Sequence, residues 1–265
     1  MKKTNYLTLS KILYWVVSAS FVFTLIYVPI RALTDQYYRE NSEYVIMLFQ
    51  TAMGLVIINL PSFLNKRFTW QIPPLFATCF ILFLFSAIFL GETMKFYYRI
   101  PFWDDLLHLC SSMMLALLGF SMIEILNRDK KHSLVNLSPF FVCLFSVTFA
   151  MLIGTLWEIY EFTFDGLLGL NMQKFAAESG IDGEKLVDLV GRQALKDTML
   201  DLIIDLSGAT IISLICYPSL KKGKGGWIEA FKVEIKDDAS LHRACEEALA
   251  DGFAQQDNTP ENPAE

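Results

Sequence analysis

Five stretches of this chain contain no Asp, Glu, Lys or Arg: Ile12–Ile30, Tyr44–Asn65, Phe68–Gly91, Leu106–Ile123 and His132–Trp157. A helix that crosses about 30 Å of hydrocarbon needs about 20 mostly apolar residues, and each stretch reaches or nearly reaches that length. Inside hydrocarbon a lone strand would leave its backbone N–H and C=O groups unsatisfied, so every span must be a helix. The chain as a whole is 54% hydrophobic and 19% charged, against about 25% charged for a soluble domain. A sixth uncharged run, Leu206–Leu220, is too short to cross alone. It completes a span only if Asp205, and with it Asp201, enters the membrane.

The expected fold is all-α, a polytopic transmembrane bundle of about six spans near 12–30, 44–63, 72–91, 104–125, 137–162 and 198–219. Orientation follows from the bias of Lys and Arg toward cytoplasmic loops. One side holds Lys2, Lys3, Lys11, Lys66, Arg67, Arg128, Lys130, Lys131, Lys221, Lys222 and Lys224. The other holds Arg31, Arg39, Lys95 and Arg99, with Lys174, Lys185, Arg192 and Lys196 in a longer loop. The excess places both termini in the cytoplasm. Met-Lys-Lys and the apolar run after it read as a retained first span, since no small-x-small cleavage site follows.

The membrane domain then covers 1–225, with an outer loop over 166–196 in which Glu184–Val190 suggests a short helical excursion. Residues 226–265 form an acidic cytoplasmic tail, partly disordered, with one possible helix over Ala239–Ala250. From Gly226 onward the tail has ten acidic and three basic residues, so the formal net charge of −6 belongs to it. The remainder is near neutral, and no nucleic-acid partner is implied. Cys79, Cys110, Cys143, Cys216 and Cys245 form no C-x-x-C pair and read as packing residues.

Charged residues inside a membrane mark function, because each costs several kcal/mol unless compensated. Three groups stand out. Phe102-Trp103-Asp104-Asp105-Leu-Leu-His108 opens the fourth span, Trp157-Glu158-Ile-Tyr-Glu161-Phe-Thr-Phe-Asp165 closes the fifth, and Asp197-Thr-Met-Leu-Asp201-Leu-Ile-Ile-Asp205 opens the sixth. Asp105 and His108 are three apart, as are Glu158 and Glu161, while Asp197, Asp201 and Asp205 step by four along one face. With the topology above, all three groups sit at the outer ends of their helices and can converge on one pocket.

Clustered carboxylates must be protonated, paired or metal-bound. Glu158, Glu161, Asp197, Asp201 and Asp205 are the expected metal ligands, for Mg²⁺, Mn²⁺, Ca²⁺ or a His-assisted Zn²⁺. Asp105 and His108 are the expected catalytic base pair. Plainer readings stand beside these: Asp104 and Asp165 as solvated interface residues, Asp197 as a helix N-cap, His108 as a satisfied core histidine, and Trp103 and Trp157 as interface anchors.

The ordered set Asp105-x-x-His108, Trp157-Glu-x-x-Glu161 and Asp197-Thr-x-x-Asp201-x-x-x-Asp205-x-x-Gly208-Ala209 resembles the YjdF-like family of bacterial inner-membrane proteins. It is more loosely similar to the VanZ-like pattern, which has Gln where Glu161 stands and Asn where Asp205 stands. The resemblance covers Phe102 to Cys216. It implies a multi-pass protein of the bacterial cytoplasmic membrane, and the VanZ-like side implies a link to glycopeptide-antibiotic resistance.

Three functions fit. The first is a metal-dependent enzyme acting on a phosphate-bearing lipid or envelope precursor at the outer leaflet. The second is a cation- or proton-coupled transporter, although such sites usually lie at the midplane between repeats and no repeat is visible. The third is a non-catalytic envelope protein whose polar cluster organises helices or binds a headgroup. The bilayer is the one partner common to all three.

Overall fold

A computed structural model of the chain describes residues 3–34, 43–67, 70–127, 137–179, 185–222, 231 and 234–235. Nearly all of them are helical, and six helices are long and apolar enough to cross a membrane. The first is α1 (Lys3–Thr34). The second combines α2 (Glu43–Ile57) with α3 (Leu60–Arg67). The third starts as α4 (Pro74–Leu84) and continues as a π-helix (Phe85–Thr93). After the single turn α5 (Phe96–Arg99) come α6 (Trp103–Asn127), α7 (Pro139–Leu168) and α8 (Lys196–Lys222). The sixth crossing therefore does take Asp201 and Asp205 into the helix with it. The tail segment 239–250 lies outside the described residues.

Local chemistry sets the helix ends. Ser138 caps α7 by accepting the Phe141 N–H, Pro139 fits the first turn, and Gly169 terminates the helix in the left-handed region at φ 66°. Asp104 and Asp105 lie in the first turn of α6 and Asp197 in that of α8, where unpaired N–H groups favour negative charge. Lys221 and Lys222 occupy the last turn of α8, complementing its carbonyl end.

The last three spans pack against one another, and each of their three seams is opened by one glycine. A Cβ on Gly119 of α6 would press on the Ser146 backbone of α7. One on Gly154 of α7 would strike the Asp205 carboxylate of α8, and one on Gly208 of α8 would strike Ser112 Oγ of α6. Small residues of this kind let helix backbones approach where lipid offers no hydrophobic drive. Away from the polar end the trio encloses Ala116, Phe120, Val142, Ala150, Ala209, Ile212 and Cys216. A second core of Val17, Phe21, Ile58, Ile81 and Leu84 joins the first three spans. Trp15, Phe162 and Leu214 stand exposed on the outside, as side chains bathed in lipid do.

Two small sheets complete the described chain. β1 (Trp70–Gln71) pairs antiparallel with β4 (Glu234–Ile235), tying the start of the tail to the segment between the second and third spans. β2 (Ala176–Ser179) pairs antiparallel with β3 (Lys185–Asp188), in register Ala176↔Asp188 and Ser179↔Lys185. Within the helical excursion expected over 184–190, Lys185–Asp188 is a strand. Its Lys-Leu-Val-Asp sequence is too short for a helix to nucleate alone, whereas pairing with Ala176–Ser179 satisfies its backbone.

Candidate metal centre

α6, α7 and α8 bring their acidic ends together at one end of the bundle. His108, Glu158, Glu161, Asp201 and Asp205 are all buried there, with exposures of 6%, 4%, 6%, 2% and 2%. His108 is at the centre. Its Nδ1 lies 3.4 Å from Asp205 Oδ1, and its Nε2 lies 3.9 Å from both Glu158 Oε1 and Asp104 Oδ1. A carboxylate on Nδ1 holds the ring and leaves Nε2 to face a cation, the usual arrangement behind a metal-bound histidine. His108, Glu158 and Asp201 each offer a ligand atom within 4.8 Å of the others, and so do Asp104, Asp197 and Asp201.

Several of these oxygens have no hydrogen-bond partner. Asp201 Oδ2 and Asp197 Oδ2 are buried with no hydrogen-bond partner among the described residues, and the Glu158 and Asp205 carboxylates have only loose contacts, Glu158 with Thr198 and Gln173 and Asp205 Oδ1 with His108 Nδ1. Native interiors contain few such groups, and a carboxylate in this condition signals something that the side chains alone do not provide. Hard oxygen ligands with one imidazole suit a divalent cation, Mg²⁺, Mn²⁺, Ca²⁺ or Zn²⁺.

Helix geometry redistributes the expected residues. Asp105 is exposed and lines an open cavity of about 330 Å³ with Phe102, Leu106, Leu109, Ile204 and Ser207. Its neighbour Asp104 faces His108 instead. At about 100° per residue, a position four before His108 lies about 40° from it, while one three before lies about 60° to the other side. Glu161 enters the cluster but accepts the Trp157 indole N–H at 2.9 Å, and it belongs to neither of the two close groups. Asp205 stands behind His108. Asp197 is half-buried and pairs with a lysine. Trp103 also turns its N–H inward, to the Ser86 carbonyl of the π-helix at 3.3 Å.

Asp165 does something that its position at a helix end did not announce. Its carboxylate accepts the backbone N–H groups of Met172 and Gln173 at 2.8 and 2.9 Å, and its carbonyl accepts that of Gly169. The loop after α7 is folded back by these bonds. Asn171 braces the same loop by exchanging two hydrogen bonds with the Ala176 backbone, and Gln173 Nε2 donates to Thr198 Oγ1 of α8.

At the turn so formed, Lys174 takes a left-handed backbone, φ 47°, and reaches into the cluster. Its Nζ lies 2.5 Å from Asp104 Oδ2 and 3.6 Å from Asp197 Oδ1. Burial works against its charge, but Asp104 and Asp197 outweigh burial and hold the ammonium above its ordinary pKa. Arg99, Arg192 and Lys196, nearer the cluster in sequence, are exposed. Lys174 has no signal in the sequence, because nothing in a lone loop lysine indicates where a turn will aim it. Tyr97, on α5, is pushed well above its usual pKa by burial and by Asp104, Glu92 and Glu161, which puts its phenol within the field of the same cluster.

The family described as "Predicted membrane protein (DUF2238)" matches residues 12–222 of the chain. An uncharacterized protein of Thermotoga maritima is 32% identical over 152 residues, a match spanning 55% of this chain and 65% of that protein. No solved structure matches.

Proposed function

The chain belongs to the DUF2238 family of predicted membrane proteins, the YjdF-like group that its motifs resemble, and from its buried His–carboxylate cluster we propose that it is a metal-dependent enzyme of the bacterial cytoplasmic membrane. It acts at the extracytoplasmic face on a phosphate-bearing lipid or envelope precursor. One observation carries this reading: Glu158 is 4% exposed with no close hydrogen bond to either carboxylate oxygen, in mutual reach of His108 and Asp201. A buried carboxylate pair with only an imidazole between them is costly, and a divalent ion removes the cost.

In this reading His108 Nε2, Glu158 and Asp201 hold the ion, and Asp205 orients the imidazole. A bound divalent cation supplies polarisation of a phosphoryl oxygen or an activated water. Asp104, 3.9 Å from His108 Nε2, stands beside the histidine where spacing had placed Asp105, and pairs with Lys174. The cavity between α6 and α8, lined by Phe102, Leu106, Leu109 and Ile204, offers an acyl chain an apolar seat next to the polar recess. Lys174 supplies the cationic group at the mouth that a phosphate requires.

Metal analysis of the purified protein tests the first half, and phosphate release from a panel of lipid-linked phosphates tests the second. Activity that needs metal and vanishes in Glu158→Gln supports the reading; a metal-free, fully functional Glu158→Gln protein overturns it. A second reading, a cation- or proton-coupled transporter, draws on the Asp197–Asp201–Asp205 row. That row climbs about 12 Å along α8 and ends in carboxylates that are 2% exposed. Ion flux in vesicles without phosphate release would favour it.

A further inference from the structure

The two close groups of ligand atoms are not equivalent. His108, Glu158 and Asp201 form one group with an imidazole as its nitrogen donor, whereas in the all-carboxylate group Asp104 and Asp197 pair with the Lys174 ammonium. Asp201 belongs to both.

Lys174 satisfies that second group only in part. It touches one oxygen of Asp104 and one of Asp197, and leaves Asp197 Oδ2 and the 2%-exposed Asp201 Oδ2 without partners. Three carboxylates with a single positive charge among them hold more negative charge than one lysine neutralises. The lysine is also able to leave: its side chain is 34% exposed, and Asp104 and Asp197 are the least buried members of the cluster. Its delivery is built rather than incidental, since Asp165, Asn171 and Gln173 together fix the turn that carries it.

We propose that Asp104, Asp197 and Asp201 form a second divalent-cation site, sharing Asp201 with the first, which the Lys174 ammonium fills in the resting protein as an exchangeable counter-cation. The proposal rests on the metal reading above and deepens it. Two ions bridged by one carboxylate stand about 3.5–4 Å apart, the spacing that stabilises both the attacking and leaving oxygens of a phosphoryl group. A phosphate arriving at the mouth competes with the carboxylates for the ammonium. As Lys174 swings onto the anion, the three acids are released to take the second ion, so metal loading becomes coupled to the arrival of a phosphate-bearing substrate.

Mn²⁺ alone is a sufficient probe, with the full chain purified in detergent. Equilibrium dialysis is expected to give one ion per chain for wild type and two for Lys174→Met. The variant should also show the exchange-coupled Mn–Mn paramagnetic resonance signal that a shared carboxylate produces. Lys174→Arg should keep one ion, and adding Asp104→Asn to Lys174→Met should return the count to one. If the methionine variant does not purify, Lys174→Gln gives the same reading. One ion in both wild type and Lys174→Met, or two already in wild type, overturns this inference and leaves the first site standing. No ion in wild type overturns the metal reading and this inference together.

Discussion

Asp104 and Asp105 are adjacent, identical in chemistry and opposite in placement. Asp105→Asn is expected to change Mn²⁺ affinity by no more than about twofold, since surface changes stay within about 0.5 kcal/mol. Asp205→Asn, which disturbs the carboxylate behind His108 Nδ1, is expected to weaken binding by about 10- to 100-fold. Titration of both variants with Mn²⁺ decides the pair. If Asp105→Asn proves the more damaging, the assignment of faces on α6 is wrong. Spacing alone does not separate them: positions three and four before a histidine both lie on its side of a helix. Only the neighbours of that helix decide which one faces inward. Gly154 shows the same dependence on neighbours. Gly154→Ala puts a methyl into the Asp205 carboxylate and is expected to cost about 1–3 kcal/mol as an overpacked contact, read as a fall in thermal unfolding temperature.

At the scale of elements, the Asp165 carboxylate holds the loop after α7 together with Asn171 and Gln173. Asp165→Ala leaves the Met172 and Gln173 N–H groups without acceptors, at a local cost of about 1–3 kcal/mol. Hydrogen exchange over residues 170–176 should rise sharply, while Mn²⁺ binding at the His108 group should persist. Unchanged exchange would mean that the hairpin alone holds the turn. The ion pair on this loop also sets a pH expectation. Lys174 is held above its ordinary pKa by Asp104 and Asp197. Its contribution is therefore complete below the unfolded value, about 10.4, and is lost only as pH rises through the higher folded value. Protection of the loop amides, taken relative to the base-catalysed rise in intrinsic exchange, should stay flat from about pH 7 to about pH 10, and a loss of protection inside that window would contradict the pairing. The sequence offered little here. Asp165 resembled a solvated interface residue, and Lys185–Asp188 resembled a helix, because a hydrogen bond to a turn seven residues away leaves no periodic trace.

For the molecule as a whole, a cation bound only by the folded bundle should stabilise it. At about 100 times its dissociation constant the gain is about 2.7 kcal/mol, seen as an upward thermal shift with Mn²⁺ that a chelator reverses and Glu158→Gln lacks. Absence of any shift would count against a folded-state metal site. By itself the sequence determined the membrane character, the number of crossings and the three helix ends that carry the acids. Those follow from charge-free length and from 3.6-residue periodicity, which are properties of a segment and its solvent. Tertiary structure alone decided that Asp104 rather than Asp105 meets His108, that Asp205 backs the imidazole while Glu161 binds Trp157, and that Lys174 is the cation among the carboxylates. Each of those outcomes depends on how one helix is rotated against another, or on where a turn aims a side chain. Rotation and aim are set by contacts between segments distant in the chain, such as Gly154 against Asp205 and Gly208 against Ser112.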